Sequence, residues 1–340
     1  MRKATSGRLD KRKEHIMSRT KYIPIIVSLA VLFVVTAVVV TALYVGDMRR
    51  AYARVNGVAT VLEFPLGSIE YTHGGAGTPV LVVHGGGGGF DQAELLVQTV
   101  LGNGFHWVAP SRFGYLGSSM PQNVTWDEQA DAYAFLLDHL GLERVAVLAL
   151  SQGGASAFLF AELYPERVSS LSCISCGAAH STEELQAAAD QKGRMLAAIF
   201  SRDFPYWVVT TAFRRQFMGL MGADKGVVAG LTAEQLQSIG LVIDYMNPVA
   251  PRAAGATFDN QARLPGQRLA GISAPTLIVH AVDDTLQLYH NAEFAVATIP
   301  GAELLSFESG GHVVMAVEQE AIQVAVQSHI IRSAGASQAR

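Results

Sequence analysis

Six short segments limit this chain more than any other feature. They are VLVVH (80–84), HWVAP (106–110), VAVLAL (145–150), VSSLSCIS (168–175), TLIVHA (276–281) and ELLSF (303–307). Each is a run rich in β-branched and other apolar residues, without the polar alternation of a half-exposed strand. A strand of this kind is covered on both faces, and such coverage goes with parallel sheets flanked by helices. Helical patterns separate the runs. One opens with Thr125-x-x-Glu128, the reciprocal cap of a helix start, and carries Ala130, Tyr133, Leu136, Leu137 and Leu140 on one side. Another runs from Gln152 to Tyr164 and stops before Pro165. With VATVLEF and SIEYTH as two leading strands, the alternation predicts an α/β fold with a doubly wound, mostly parallel sheet.

Between residues 178 and 271 the alternation stops. No buried strand is evident there, while Ser181-x-x-Glu184 and Thr232-x-x-Gln235 both mark helix starts, and Phe200, Phe204, Tyr206, Trp207, Phe213, Phe217, Met218 and Met221 are concentrated there. A helical cap inserted into the α/β core is expected, the core being residues 57–177 and 272–340.

The N-terminus is of another kind. Tyr22 to Gly46 is 25 residues without a charge. About 20 helical residues cross a bilayer's hydrocarbon core, and Pro24 would fall in the first turn, where proline is tolerated. Residues 1–54 carry 11 Lys and Arg against three acids, and eight of those cations precede the apolar run. The positive-inside bias then predicts a basic cytoplasmic tail (1–21), a single-pass signal anchor (22–46), a short linker (47–56) and a domain on the extracytoplasmic side. A cleaved signal peptide is the competing reading, but its apolar core is shorter than this one. Residues 55–340 hold 14 basic and 26 acidic residues, so nothing there suits a phosphate backbone and a nucleic-acid partner is excluded.

Three places carry chemistry. Ala149-Leu150-Ser151-Gln152-Gly153 ends one apolar run and opens a helix, with small residues on either side of the serine as a tight strand–turn–helix elbow requires. The helix start favours developing negative charge beside Ser151. The bland alternative is a serine that merely caps its helix. His84 is followed by five glycines, Gly85–Gly89. They allow close backbone approach to a ligand. The Lys-Ser/Thr of a phosphate loop is missing, and no acidic residue ends the next strand as in a dinucleotide site. An oxyanion loop remains, with the backbone N–H groups of Gly86 and Gln152 as the candidate donors. Finally, Asp283-Asp284 follows TLIVHA and Gly310-Gly311-His312 follows ELLSF, at strand ends where such a sheet places reacting groups. A serine nucleophile needs a base and an acid to orient it. Either aspartate would serve. Cys173 and Cys176 lie in a strand-like run without further metal ligands nearby, and are read as small buried hydrophobes.

In their order, HGGGGGFDQ, SRFGYLGSS, ALSQGGASA, HAVDDTLQL and SGGHVVM resemble the α/β-hydrolase superfamily, specifically its capped serine hydrolases with a His-Gly loop and a proline-iminopeptidase-like FDQ. The resemblance covers about residues 57–332 and is weakest in the cap. It implies Ser151 as nucleophile, Asp284 as acid and His312 as base. Asp284 follows His280 at the family's H-G-x-x-D spacing, with Ala281 in place of the usual glycine, and Ala149 likewise replaces the elbow's usual glycine. Asp283 stays the alternative acid. A serine at the elbow excludes the aspartate nucleophile of dehalogenases. The expected activity is cleavage of a carboxylic ester, lactone or amide through an acyl-enzyme, with no cofactor. A non-catalytic binding protein on the same fold, or a C–C bond hydrolase or perhydrolase with the same triad, are the alternatives. The expected partners are the membrane and a neutral, moderately apolar small molecule.

Overall fold

The computed structural model describes residues 6–180 and 184–338, with side chains described over 22–180 and 186–335. The chain divides into two compact units, Met1–Arg50 and Ala51–Arg340.

The first unit is most of one helix, α1 (Ser6–Val55), whose residues from Tyr22 to Val39 are exposed. One expectation needs correction. Pro24 lies inside α1 and not in its first turn. The short linker segment is itself helical through Val55, because nothing between Gly46 and Asn56 breaks a helix. Gly57, at φ +68°, follows the helix end. From Ala51 onward this last stretch belongs to the second unit. There Tyr52 Oη donates to Asp203 Oδ2 at 2.8 Å, and Arg54 pairs with Asp91 at 3.1 Å and donates to the carbonyls of Tyr245 and Asn247. Among the described residues one helical stretch, Tyr22–Val55, is long and apolar enough to cross a membrane.

The second unit is built on eight strands: β1 (Thr60–Phe64), β2 (Gly67–Gly75), β3 (Thr78–Val83), β4 (Phe105–Pro110), β5 (Val145–Leu150), β6 (Val168–Ile174), β7 (Thr276–Ala281) and β8 (Glu303–Phe307). Their order is β1-β2-β4-β3-β5-β6-β7-β8; β1, β2 and β4 pair antiparallel and the other pairs are parallel. Helices α2 (Phe90–Leu96), α3 (Trp126–His139) and α4 (Gly153–Leu163) link the early strands. The expected reciprocal cap is present at Thr125 and Glu128. Side chains of adjacent strand residues point to opposite faces, so each apolar run feeds two cores. Leu81, Val83, Val147, Ala149 and Ile278 pack with Tyr133, Leu136, Phe158 and Phe160 on one side. Val80, Val82, Leu148, Leu277 and Val279 pack with Leu96, Val326 and Ile330 on the other. The run ELLSF departs from the pattern. It is an edge strand and half-exposed, Leu304 included.

Residues 184–261 form α5 (Glu184–Ile199), α6 (Asp203–Ala212), α7 (Arg214–Leu220), α8 (Lys225–Gly230), α9 (Ala233–Tyr245) and α10 (Ala253–Gln261) without a strand. Their own core gathers Phe200, Tyr206, Phe217, Met218, Ile239 and Ile243. The cap expected at Thr232 is present; that expected at Ser181 lies outside the described residues. The C-terminal part adds α11 (His290–Thr298), α12 (Val314–Val317) and α13 (Gln319–Gln338).

Candidate active site

Ser151 leaves β5 and precedes α4 with φ +51°, a left-handed conformation that an L-residue adopts at a cost of about 1–3 kcal/mol. Two contacts hold it there. Its N–H donates to the Ile174 carbonyl on the neighbouring β6 at 2.9 Å. Two positions on, Gly153 lies so close to the preceding loop that a Cβ would stand 2.5 Å from the His84 carbonyl oxygen. Only glycine fits. Cys176 packs beneath the next residue, Gly154, and both cysteines are free and buried. Burial pushes the Cys173 thiol well above its usual range, as a hydrophobe's role requires.

Ser151 Oγ stands 2.8 Å from His312 Nε2, and His312 Nδ1 stands 2.7 Å from Asp284 Oδ2. The carboxylate fixes the ring: Nδ1 carries the proton that Asp284 accepts, leaving Nε2 free to accept from the serine. The other oxygen of Asp284 accepts the backbone N–H groups of Leu286 (2.8 Å) and Gln287 (2.9 Å). Asp283 points elsewhere. Its carboxylate accepts from Ser309 Oγ and from the N–H groups of Gly310 and Gly311, at 2.7 Å for the last. It holds the loop that carries His312 and does not touch the imidazole.

The glycine loop is fixed from behind by His84. Its Nδ1–H donates to the Gly85 carbonyl at 2.7 Å and its Nε2 accepts the Arg112 N–H at 2.9 Å. Burial first, then the charge of Arg112, hold this imidazole well below the usual histidine range, so it stays neutral. Within the loop Gly88 N–H bonds the Gly85 carbonyl and Gly87 N–H reaches Tyr115 Oη at 3.4 Å. The N–H groups of Gly86 and Gln152 meet no acceptor among the described residues. The two residues are neighbours: a Cβ on Gly86 would sit 3.4 Å from Gln152 Cγ. Two backbone donors beside a serine can receive an oxyanion.

The cap reaches this centre in ways the sequence does not signal. Gly222, at φ +81°, accepts the His312 N–H at its carbonyl oxygen, and a Cβ there would lie 2.7 Å from His312 Cβ. Asp259 on α10 takes a bidentate pair from Arg112, both contacts at 2.7 Å, and a 2.5 Å bond from Tyr115 Oη; Arg112 also donates to the His84 and Gly85 carbonyls. Arg252 clamps Asp91 in the same way, at 3.0 and 2.9 Å. Losing one partner of such a buried pair costs about 3–5 kcal/mol. His280, which the sequence marks only by its spacing from Asp284, supports that residue. Its Nε2–H donates to the Gln287 carbonyl at 2.7 Å and lies 3.6 Å from Asp284 Oδ2, which ties down the turn carrying Asp284.

Ser151, His312 and the glycine loop open on a cavity of ≈ 120 Å³ whose apolar wall includes Leu196, Phe200, Met221, Ile239, Val242 and Met246. Most of that wall comes from the cap. Other aromatic residues of the cap do not reach it: Tyr206 and Phe217 are internal to the cap core, and Phe204 and Phe213 are half exposed. Among the described residues, no group of three or more His, Cys, Asp or Glu side chains is placed to hold a metal ion.

Comparison with known proteins agrees with this architecture. The family described as alpha/beta hydrolase fold matches residues 78–319. An uncharacterized hydrolase of Bacillus subtilis, YcgS, is 28% identical over 263 residues, covering 74% of this chain and 91% of that protein. Lipase 3 of a Moraxella species is 25% identical over 250 residues, or 70% of this chain and 73% of the lipase. The structure of an alpha/beta hydrolase fold protein from Nakamurella multipartita superposes with a TM-score of 0.64 at 26% identity, over 81% of this chain and 99% of that one.

Proposed function

The chain belongs to the α/β-hydrolase fold family and is a hydrolase of that type, and from that premise we propose that it is a serine hydrolase that cleaves a carboxylic ester, lactone or amide through an acyl-enzyme on Ser151. The observation that carries the reading is the continuous line from Ser151 Oγ through His312 to Asp284, at 2.8 and 2.7 Å.

In this mechanism His312 Nε2 takes the hydroxyl proton as Ser151 Oγ attacks the substrate carbonyl. The imidazolium so formed is stabilised by Asp284, which the N–H groups of Leu286 and Gln287 keep aimed. The developing oxyanion is received by Gly86 and Gln152. His312 then passes its proton to the leaving oxygen or nitrogen, and the acyl group stays on Ser151. Water, deprotonated by the same Nε2, attacks the acyl carbonyl, and His312 returns that proton to Ser151 Oγ as the ester bond breaks and the acid leaves.

Substrate class follows from the cavity. An apolar cavity of about 150 Å³ takes up benzene, so one of ≈ 120 Å³ suits a short, neutral acyl group. The likeness to Lipase 3 supports an ester over an amide. We place the enzyme at a membrane, with Tyr22–Gly46 as an uncleaved anchor and the hydrolase domain outside the cytoplasm.

The test is turnover of p-nitrophenyl esters by the purified protein. Each added methylene is expected to gain up to about 0.8 kcal/mol until the cavity fills, so kcat/KM rises from acetate to butyrate and falls for long chains. Ser151→Ala and His312→Ala are expected to lower kcat by roughly 10⁴-fold or more. Turnover that survives Ser151→Ala removes the proposal.

A further inference from the structure

The cavity in front of Ser151 ends at one aromatic ring. Phe200 directly follows α5, and among the described residues it is the one Phe, Tyr or Trp in the cavity wall. Its ring tip lies against the glycine loop: a Cβ on Gly87, itself a lining residue, would stand 3.0 Å from Phe200 Cζ. Behind the ring lie Tyr206, stacked on it at 5.3 Å, and Phe217, edge-on at 6.4 Å. Both are fully buried and neither lines the cavity. Phe200 is therefore the partition between the cavity and the core of the cap. Tyr206 Oη is spent on the Ile243 carbonyl at 2.7 Å, so the space behind the partition would offer a chain apolar ring surface.

Acyl transfer gives the two sides of the cavity different tasks. In the mechanism proposed above, the attacked carbon carries an oxyanion, a leaving group and an acyl chain. The leaving atom must stand within hydrogen-bond reach of His312 Nε2, which protonates it. Met221, Leu286 and Val313 line the cavity around that imidazole. A Cβ on Gly222 would lie 2.7 Å from His312 Cβ and 2.9 Å from Leu286 Cβ, and Met221 and Val313 adjoin Gly222 and His312 in the chain. The other wall is built by Gly87, Leu196, Ala197 and Phe200. Gly87 follows the proposed oxyanion donor Gly86, so this wall continues from the oxyanion's side of the carbonyl. It is left to the acyl chain, whose end then meets the Phe200 ring.

We propose that Phe200 is a specificity-determining residue that sets the length of the acyl chain, its ring stopping the chain short of Tyr206 and Phe217. This deepens the serine-hydrolase reading and rests on it. The experiment measures kcat/KM of the full-length protein in detergent for the p-nitrophenyl esters from acetate to decanoate, in wild type, Phe200→Leu and Phe200→Ala. Each methylene that a variant newly accommodates gains up to about fourfold. Phe200→Ala removes the whole ring, so its optimum is expected to move about two to four carbons beyond that of wild type, with the octanoate-to-butyrate ratio rising roughly tenfold or more. Thermal unfolding checks that the variant folds. Should it not, Phe200→Leu, which keeps most of the volume, is expected to raise the same ratio by about fourfold. A second series fixes the acyl group and varies the alcohol, as ethyl, butyl and hexyl butyrate; the order among these is expected to be the same in Phe200→Leu as in wild type. A wild type that prefers decanoate, a folded variant with the wild-type optimum, a uniform fall across all chain lengths, or a variant that reorders the alcohols and not the acyl groups overturns the proposal. If wild type hydrolyses the esters and Ser151 reacts with a fluorophosphonate while the optimum stays put in the variants, only the role of Phe200 falls. If wild type does neither, the serine-hydrolase reading falls and takes this proposal with it.

Discussion

Gly222→Ala tests whether the cap positions the proposed base. Gly222 is left-handed at φ +81°, where a side chain costs about 1–2 kcal/mol. Its added Cβ would stand 2.7 Å from His312 Cβ and 2.9 Å from Leu286 Cβ, against about 3.5–4.0 Å for carbons in contact. Overpacking of that degree costs a further 1–3 kcal/mol or so. Together these give roughly 2–5 kcal/mol, or a fall in Tm of at least about 4 °C in a domain of this size. Relief of the clash moves His312 away from Ser151, and a misplacement of about 1 Å costs on the order of 10²-fold in kcat. Gly219, three residues earlier in α7, has nothing within 4 Å of an added Cβ. Gly219→Ala is therefore expected to leave kcat alone and to stabilise the helix by up to about 1 kcal/mol. Thermal unfolding and ester turnover of both variants provide the assay. A Gly222→Ala protein with wild-type kcat would refute the claim that the cap seats His312.

The two adjacent aspartates should behave differently. Asp284→Asn is expected to cost about 10⁴-fold in kcat, since it disturbs the tautomer of His312, whereas Asp283→Asn loosens the 309–311 loop and costs far less; the opposite order in a kcat comparison would reassign the acid. Stability should fall with acid. His84 and His280 are both held below their ordinary range, chiefly by burial, so below about pH 6.5 the unfolded chain binds protons that the fold does not. Each then removes up to about 1.4 kcal/mol per pH unit until its folded pKa is reached, and chemical denaturation between pH 7 and 5 measures the slope. Truncation should show where the domain begins. A chain starting at Ala51 keeps the contacts of Tyr52 and Arg54 and is expected to be soluble and active. One starting at Val55 is expected to lose about 1–3 kcal/mol in a denaturation midpoint. Full-length protein should resist carbonate extraction from membranes.

The strands were readable because burial on both faces demands unbroken apolar runs, and such runs survive in the sequence as VLVVH or TLIVHA. The edge strand ELLSF looks the same in letters, and only its place in the sheet exposes it. The serine elbow was readable because its geometry restricts residues 149 and 153 to small side chains. The choice between Asp283 and Asp284 was not. Neighbouring residues on a turn point in different directions, and the turn through Gln287, tied by His280, decides which one faces His312. The approach of Gly222 and the pairing of Asp259 with Arg112 were invisible for a related reason. Helical periodicity reveals the face a cap helix buries, but not what it buries it against. The end of α1 was not legible, because Asp47, Arg49 and Arg50 end the apolar run while the helix itself continues to Val55, just before Gly57.

The most direct measurement is the capture of the acyl-enzyme. Full-length protein mixed with p-nitrophenyl butyrate, quenched in acid within its first turnovers and digested, should yield a peptide butyrylated at Ser151 by mass spectrometry. The adduct should accumulate in step with an initial burst of p-nitrophenol and be absent from Ser151→Ala. A protein that hydrolyses the ester with no adduct, or with the butyryl group on another residue, would contradict a serine nucleophile at position 151.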